Sequence, residues 1–291
     1  MTKDTGAAPA KVNFTLHVTG RRAGGYHTLD SLVGFAGFGD HVSAVAATEV
    51  TLEIGGPFAA GLPTDSGNIV VKAAQMLREA RGVTLGARIK LTKALPHAAG
   101  LGSGSADAAA VLRVLAKLWG VAPFAPGDPE VAELGADVPV CLQAPHAARM
   151  SGIGEVLSPV PRLPQMGLIL VNPKIEVPTA KVFAALESHA NPAMDEMPEG
   201  LDLDGFCAWL AAQRNDLQPA AEAIEPEIAR VLQRLRRIPQ VKTAFMSGSG
   251  ATCVGITRDV AQARVAARGL QIAEMGWWVA PAPLLTGTAL A

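Results

Sequence analysis

A loop of glycine and serine at residues 100–105 (Gly-Leu-Gly-Ser-Gly-Ser) restricts the possible folds of this chain more than any other segment. Before it, apolar and charged residues alternate up to Lys93, which predicts a strand. After it, an apolar run to Trp119 predicts a helix that ends at Gly120. Such an order presents free backbone N–H groups at the positive end of the helix dipole. It predicts a phosphate-binding loop; the alternative is a loop that only lets the chain enter the helix.

Spacing separates this loop from two other phosphate-binding loops. A Walker A loop ends in Gly-Lys-Ser or Gly-Lys-Thr, which does not occur here. A dinucleotide-binding fingerprint has the spacing G-x-G-x-x-G and an acidic residue about 20 positions further on. This loop has the spacing G-x-G-x-G, and residues 119–127 contain no acid. The spacing therefore disfavours a P-loop nucleoside triphosphatase and a dinucleotide-dependent oxidoreductase.

The N-terminal segment predicts a strand with one polar face. Residues 11–18 alternate strictly between polar and apolar side chains, which is typical of a half-buried strand. Lys11 and Asn13 share the polar face, roughly 6.5–7 Å apart along the strand. The ordinary interpretation of a lysine at such a position is a solvated side chain.

The rest of the chain mixes strands and helices without regular β-α-β alternation, which predicts the α+β class. Helices are predicted over residues 68–81, 179–188, 201–213, 222–236 and 259–275, and a glycine-centred hairpin around residues 247–250. A proline-rich passage at residues 158–164 is the candidate linker. We therefore expect two domains, residues 1–155 and 156–291.

Composition excludes several classes of protein. Lys and Arg number 25 against 26 Asp and Glu, with no basic cluster, so a dedicated nucleic-acid-binding protein is not expected. No run approaches the ~18 apolar residues of a membrane span, and no apolar segment near Met1 indicates a secretion signal. We expect a cytoplasmic protein without a membrane partner. Cys141, Cys207 and Cys253 lie far apart among apolar neighbours, which predicts reduced, buried thiols rather than a zinc site.

Several segments resemble the GHMP kinases, the superfamily of galactokinase, homoserine kinase and mevalonate kinase. Pro96-x-x-x-Gly100-Leu101-Gly102-Ser103 is similar to the ATP loop of that family. Residues 8–13 and 20–29 resemble the N-terminal signature of one branch, and residues 135–139, 215–217 and 247–251 are similar to later motifs of the family. The resemblance covers residues 8 to about 256. It implies a two-lobed α+β fold with the active site in the cleft between the lobes, an N-terminal lobe that contains the ATP loop and catalytic residues, and ATP with Mg²⁺ as cofactors.

The resemblance also implies roles for individual residues. Asp137 is the implied base that takes the proton of an attacking alcohol, and Lys11 steadies both that carboxylate and the transferred phosphoryl group. The ATP-binding residues are Pro96, His97, Ala98, Ala99, Gly100, Leu101, Gly102, Ser103, Gly104, Ser105 and Ala106. The substrate-binding residues are Asn13, Tyr26, His27, Phe183, Gly248, Ser249 and Gly250. In the branch concerned, the substrate is a cytidine diphosphate-linked polyol of non-mevalonate isoprenoid precursor synthesis, and Tyr26 and His27 contact the base.

Each of these roles has a structural alternative. Asp137 precedes Val138-Pro139 and is suited to a turn or helix cap, Tyr26 and His27 to an exposed turn, and Phe183 to a helix core. Two other functions stay open: a different GHMP kinase, for homoserine or a sugar, and a nucleotide-binding module without catalysis. The Gly25-Tyr26-His27 segment favours the cytidylyl branch over a kinase for homoserine or a sugar. The joint presence of Lys11 and Asp137 disfavours a module without catalysis.

The chain also departs from the family pattern. Ala98, Ala99 and Ser103 occupy loop positions where the family often has glycine, and Asp107 occupies one where asparagine is common. An acid so close to a phosphate loop either repels ATP or helps to hold Mg²⁺. The ligands of the metal are not assigned.

Overall fold

The computed structural model describes residues 3–22 and 24–287, and this part of the chain forms two sheets, each covered by helices. The first sheet and its helices comprise β1 (Lys3–Asn13), β2 (His17–Arg21), β3 (His27–Ala47), β4 (Thr51–Gly55), α1 (Ile69–Ala80), β5 (Gly86–Thr92), α2 (Ser103–Trp119), α3 (Pro129–Leu134), α4 (Val138–Leu142), β6 (Ala148–Gly152) and β7 (Val156–Pro159). The second comprises β8 (Gly167–Asn172), α5 (Thr179–Ala184), α6 (Leu203–Ala211), α7 (Gln218–Ile224), α8 (Glu227–Arg236), β9 (Val241–Met246), β10 (Cys253–Thr257), α9 (Val260–Ala273) and β11 (Trp278–Pro283).

The long strand β3 organises the first sheet, whose order is β4-β5-β3-β6-β7, with β1 and β2 also pairing with β3. All pairs are antiparallel except β4 with β5. Helix α2 packs closely on β1, since a Cβ added at Gly6 would lie 2.8 Å from Val114 Cγ2. The predicted helix after the glycine loop is confirmed, and it ends at Gly120 in the left-handed conformation that glycine favours.

The predicted strand over residues 11–18 is wrong in two respects. Strand β1 begins at Lys3 and ends at Asn13, and β2 starts only at His17. The polar face is not solvated, because Lys11 and Asn13 are both buried. The backbone N–H of Lys11 donates to the carbonyl of Leu101, and that of Asn13 to Ser247 Oγ, so two loops cover this face.

The second sheet is antiparallel, with the order β11-β8-β10-β9. The hairpin predicted around residues 247–250 is confirmed between β9 and β10. The helix predicted over residues 222–236 is wrong, because α7 ends at Ile224 and α8 begins at Glu227. Pro226 lies between them, and proline has no N–H to continue a helical hydrogen-bond ladder.

The two sheets share apolar contacts. Phe14 follows β1, and its ring lies 5.6 Å from that of Phe206 on α6 and 5.4 Å from that of Phe245 on β9. The chain passes from the first sheet to the second between Pro159 and Gly167, which overlaps the predicted linker at residues 158–164. The domain boundary between residues 155 and 156 stays a prediction.

Two further expectations concern membranes and cysteines. Among the described residues, no helix is both long and apolar enough to cross a bilayer. Cys141, Cys207 and Cys253 are free and buried, as predicted. Burial raises the pKa of the Cys141 thiol to about 12 and that of Cys207 to about 11.

Candidate active site

A cleft of about 880 Å³ brings together segments that are distant in the sequence. Its lining includes the polar face of β1, the turn between β2 and β3, the glycine loop with the start of α2, and parts of α5 and of the β9–β10 hairpin. Ala136 and Asp137, immediately before α4, also line it, together with apolar side chains such as Ile69 and Met150. The cleft therefore contains the predicted phosphate-binding loop and titratable side chains in one space.

Lys11 and Asp137 form an ion pair in this cleft. Lys11 Nζ lies 2.7 Å from Asp137 Oδ2; the lysine side chain is 5% exposed and the aspartate 32%. Gly102 packs against both, because an added Cβ would lie 3.2 Å from Lys11 Cε and 3.5 Å from Asp137 Oδ2. Gly102 has φ +59°, a conformation that L side chains rarely adopt. The glycine therefore serves both the turn into α2 and the close approach of the pair.

The glycine loop exposes backbone to the cleft at the N-terminus of α2. Ala98, Ala99, Gly100 and residues 102–105 line the cleft. Ala98 has φ +45°, so a residue with a Cβ occupies the left-handed region where the family often has glycine. The alanine is thus accommodated at some cost in backbone strain, and the loop still presents its N–H groups.

Some of the predicted ATP-binding residues shape the loop instead of lining the cleft. Leu101 and Ala106 are buried in apolar clusters, and Pro96 is buried beside them. His97 Nε2 is paired with the carbonyl of Phe58. Contacts of these four residues with ATP stay predictions.

The β9–β10 hairpin is tied to the glycine loop. Ser247 Oγ donates to the carbonyl of Gly100 at 2.8 Å, and the N–H of Thr252 donates to the carbonyl of Ala99 at 3.2 Å. Gly248 and Ser249 line the cleft, whereas Gly250 does not. The two glycine-containing loops therefore form one wall.

Asn215 supports this wall, and its role was missed at the level of sequence although its motif was noted. Its Nδ2 donates to the carbonyls of Met246 at 2.9 Å and Gly248 at 2.8 Å. The neighbouring Asp216 accepts from the N–H of Val18 at 2.8 Å. The Asn-Asp pair thus fastens the hairpin and β2 to the start of α7.

Asn13 lines the same cleft as the ion pair and carries an acceptor atom of interest. Its Nδ2 donates to Ser31 Oγ at 2.8 Å, which orients the amide. Its Oδ1 is buried and has no hydrogen-bond partner within the described residues. A Cβ at Gly248 would lie 3.4 Å from this oxygen. Because buried polar atoms are nearly always paired, this acceptor is suited to a hydroxyl group of a ligand.

The opposite end of the cleft is aromatic. Tyr26 is 67% exposed, and the rings of His27 and Phe183 stack with centroids 4.9 Å apart. Phe183 also packs against the core of the second sheet, as its structural alternative predicts, and its contact with a base stays a prediction. Arg21 lines this end as well, and sequence reasoning had assigned it no role.

Asp107 lies outside the cleft lining. It is buried on α2, and its Oδ2 is 2.6 Å from Lys93 Nζ, which also pairs with Asp40. Burial raises the pKa of Asp107 to about 8, partly opposed by Lys93. Asp107 does not line the cleft, and its carboxyl group joins a buried cluster that fixes α2 to the strand leading into the loop.

The cleft offers few metal ligands. Within residues 3–22 and 24–287, no group of three or more His, Cys, Asp or Glu side chains is arranged to hold a metal ion. Mg²⁺ often takes only one or two protein oxygens and is otherwise bound by phosphates and water. Ser105 and Asp137 line the cleft and carry suitable oxygens. The residues present fit a metal that arrives with a nucleotide.

Comparison with known proteins decides the family. The sequence model of the GHMP kinases N terminal domain matches residues 68–147, and that of the GHMP kinases C terminal domain matches residues 190–273. A 4-diphosphocytidyl-2-C-methyl-D-erythritol kinase from Paramagnetospirillum magneticum is 51% identical over 98% of this chain and 100% of that protein. The chain belongs to the GHMP kinase family. A second enzyme with the same name, from Ruegeria pomeroyi, is 51% identical over 94% of this GHMP kinase and 96% of the relative.

Solved structures agree with the fold of a GHMP kinase. The crystal structure of a 4-(cytidine 5'-diphospho)-2C-methyl-D-erythritol kinase has a TM-score of 0.75 and 32% identity, covering 97% of this chain and 100% of that one. A homoserine kinase from Cytophaga hutchinsonii, 18% identical, has a TM-score of 0.70, covering 100% of this chain and 98% of that one, and shows the fold alone. The predicted α+β class, the two-lobed fold and the resemblance are confirmed.

Proposed function

We propose that the protein is an ATP-dependent kinase that phosphorylates the 2-hydroxyl group of 4-diphosphocytidyl-2-C-methyl-D-erythritol. The observation that carries this proposal is the 2.7 Å ion pair between Lys11 and Asp137 in the same cleft as the N-terminus of α2. The pair supports a kinase over a module that only binds a nucleotide, because binding alone needs no base beside the phosphate loop.

The nucleotide belongs at the glycine loop. Gly100 and Gly102 bring backbone close to the cleft, and α2 directs its free N–H groups and positive dipole end toward the same space. Ser103 and Ser105 add hydroxyl groups at the first turn of the helix. These groups are suited to the phosphate chain of ATP.

The chemistry needs positioning and charge neutralisation more than covalent participation. Asp137 accepts the proton of the attacking hydroxyl group as the oxygen bonds to the γ-phosphorus and ADP leaves. Lys11 stabilises the Asp137 carboxylate and the negative charge of the transferred phosphoryl group. Asn13 Oδ1 accepts a hydrogen bond from a hydroxyl group of the polyol and so orients it.

Mg²⁺ would be held by the nucleotide phosphates, with Ser105 as the protein ligand. When bound, it supplies positive charge that offsets the charge of the phosphates. Lys11 and the N–H groups of α2 face the same cleft and would offset the same negative charge.

The cytidylyl group belongs at the aromatic end. The exposed ring of Tyr26 offers a face for stacking on a base, and the imidazole of His27 offers a hydrogen-bonding edge. Arg21 lies at this end of the cleft and is suited to the diphosphate, since guanidinium groups bind phosphate oxygens through paired N–H donors.

The test is ADP release from ATP·Mg²⁺ with a panel of alcohols: the cytidylyl polyol, homoserine, mevalonate and galactose. We expect ADP release only with the cytidylyl polyol, and a single phosphorylated product. A response confined to homoserine, mevalonate or the sugar would assign the protein to another kinase of the family. No response to any alcohol, with ATP still bound, would support the non-catalytic alternative.

A further inference from the structure

His189 lies behind the aromatic end of the cleft and is not part of its lining. It follows α5, and its Nδ1 is 3.0 Å from Nε2 of His27. The His27 ring is also stacked on Phe183 with an interplanar angle of 20°. Of the two ring nitrogens of His27, only Nε2 has a hydrogen-bond partner among the described residues. The contact with His189 therefore determines which nitrogen of His27 remains for a ligand.

We propose that His189 is a positioning residue that fixes the tautomer of His27 and thereby makes the cleft select cytosine over uracil. This inference rests on the proposed function, since it concerns how the same cleft recognises the base of its substrate.

The tautomer follows from the hydrogen bond. A contact between two neutral imidazoles needs one N–H donor and one bare nitrogen. The Nε2–H form is the more stable neutral tautomer of a free histidine. If both rings adopt it, His27 Nε2–H donates to the bare Nδ1 of His189, and both rings keep their preferred form. His27 lines the cleft, and its Nδ1 is then a bare acceptor.

A bare acceptor distinguishes the two pyrimidines. Cytosine carries an exocyclic amino group that donates a hydrogen bond, whereas uracil carries a carbonyl oxygen at the same position, which would face His27 Nδ1 as a second acceptor. To bind uracil equally well, His27 would have to carry its proton on Nδ1. Its hydrogen bond with His189 would then need His189 to move its proton to Nδ1 as well, so both rings would leave their preferred tautomer. A site built around a hydrogen bond rejects an analogue that cannot make it.

The surroundings of His27 also favour its neutral form. The charged and titratable groups that face His27 are Arg21, paired with it across β2 and β3, and His189. Desolvation first, and then these two groups, lower the pKa of His27. The neutral ring with its bare Nδ1 thus persists to lower pH than in a solvated histidine.

The test measures binding of CDP and UDP by calorimetry to the wild-type protein and to variants of His189. His189→Leu removes the partner of Nε2, and we expect the ratio of CDP to UDP affinity to fall by about 3- to 10-fold, the effect of one hydrogen bond. His189→Asn keeps an acceptor near the position of Nδ1 and should retain the ratio. His41→Leu, on the exposed side of β3, is the matched control and should leave it unchanged.

A second readout does not depend on the variants folding well. Nitrogen-15 shifts of histidine-labelled wild-type protein report whether each imidazole nitrogen carries a proton. We expect a protonated Nε2 and a bare Nδ1 for His27. The opposite tautomer, or a CDP to UDP ratio unchanged in His189→Leu, would overturn the proposal. Selective binding of CDP without turnover of the cytidylyl polyol would instead contradict the proposed function and leave the role of His189 supported.

Discussion

Replacing Asp137 with asparagine preserves the size of the side chain and one acceptor oxygen, but removes the base and the negative charge 2.7 Å from Lys11 Nζ. We expect turnover to fall by ~10²–10⁴, the usual contribution of a positioned general base. At 1.36 kcal/mol for each factor of ten, this loss corresponds to about 2.7–5.4 kcal/mol of transition-state stabilisation. The contacts of the glycine loop and of the aromatic end are untouched, so KM values for ATP and the cytidylyl substrate should change little.

The pair acts as a unit in this mechanism, which a double-mutant cycle can measure. Lys11→Met keeps much of the length of a side chain that is only 5% exposed while it removes the charge. Because each partner depends on the other, we expect the double variant to lose little more activity than the worse single variant. The assay is steady-state ADP release, with ATP binding measured separately to establish that each cleft still forms.

A surface pair supplies the control. Lys242 and Asp204 also form an ion pair, but Asp204 is exposed, and neither residue lines the cleft. Asp204→Asn should leave turnover unchanged. Near-normal turnover in Asp137→Asn would remove this residue from the mechanism. Losses that multiply in the double variant would show that Lys11 acts independently of Asp137.

Three other substitutions test separate parts of the site. Tyr26→Ala should raise KM for the cytidylyl substrate more than KM for ATP, because its exposed ring lies at the end of the cleft proposed for the base. Equal effects in steady-state kinetics would count against stacking. Asn215→Ala removes two hydrogen bonds to the β9–β10 hairpin and should raise KM for ATP and lower the free energy of unfolding by about 1–3 kcal/mol, whereas Gln218→Ala, whose amide binds Glu222, should do neither. Asp107→Asn should stabilise the protein increasingly as pH rises from about 4 toward 8: folding raises the pKa of Asp107 to about 8, so the folded wild-type protein retains a proton that its unfolded chain releases. Urea unfolding at both ends of that range measures the difference, and a pH-independent difference would contradict the raised pKa.

Local chemistry explains what could be predicted from the sequence. The loop and α2 could be placed from the sequence because their signals are local. The glycines of the loop, the helical spacing of apolar residues after it and Gly120 at the end each affect only the backbone nearby. The break between α7 and α8 also had a local signal, since Pro226 cannot continue a helix, but the apolar pattern on both sides hid it.

Contacts between distant segments were beyond such reasoning. Alternation shows that Lys11 and Asn13 share a face, but not that a loop more than 200 residues later covers it. The ion pair of Lys11 with Asp137 followed only from the resemblance, and the contact of His27 with His189 joins residues 162 positions apart. The role of Asp107 depended on the position of Lys93, which no spacing rule supplies.

The buried cysteines give the molecule a set of internal reporters. Cys141 lies one turn after Asp137, with its N–H bonded to that residue's carbonyl, while Cys253 begins β10 beside the hairpin. Burial raises the pKa of both thiols and closes them to reagents. Alkylation can therefore proceed only when the surrounding structure opens. Labelling the two sulfurs would compare how often the segment around Asp137 and the wall formed by the two glycine-containing loops open, without any introduced probe.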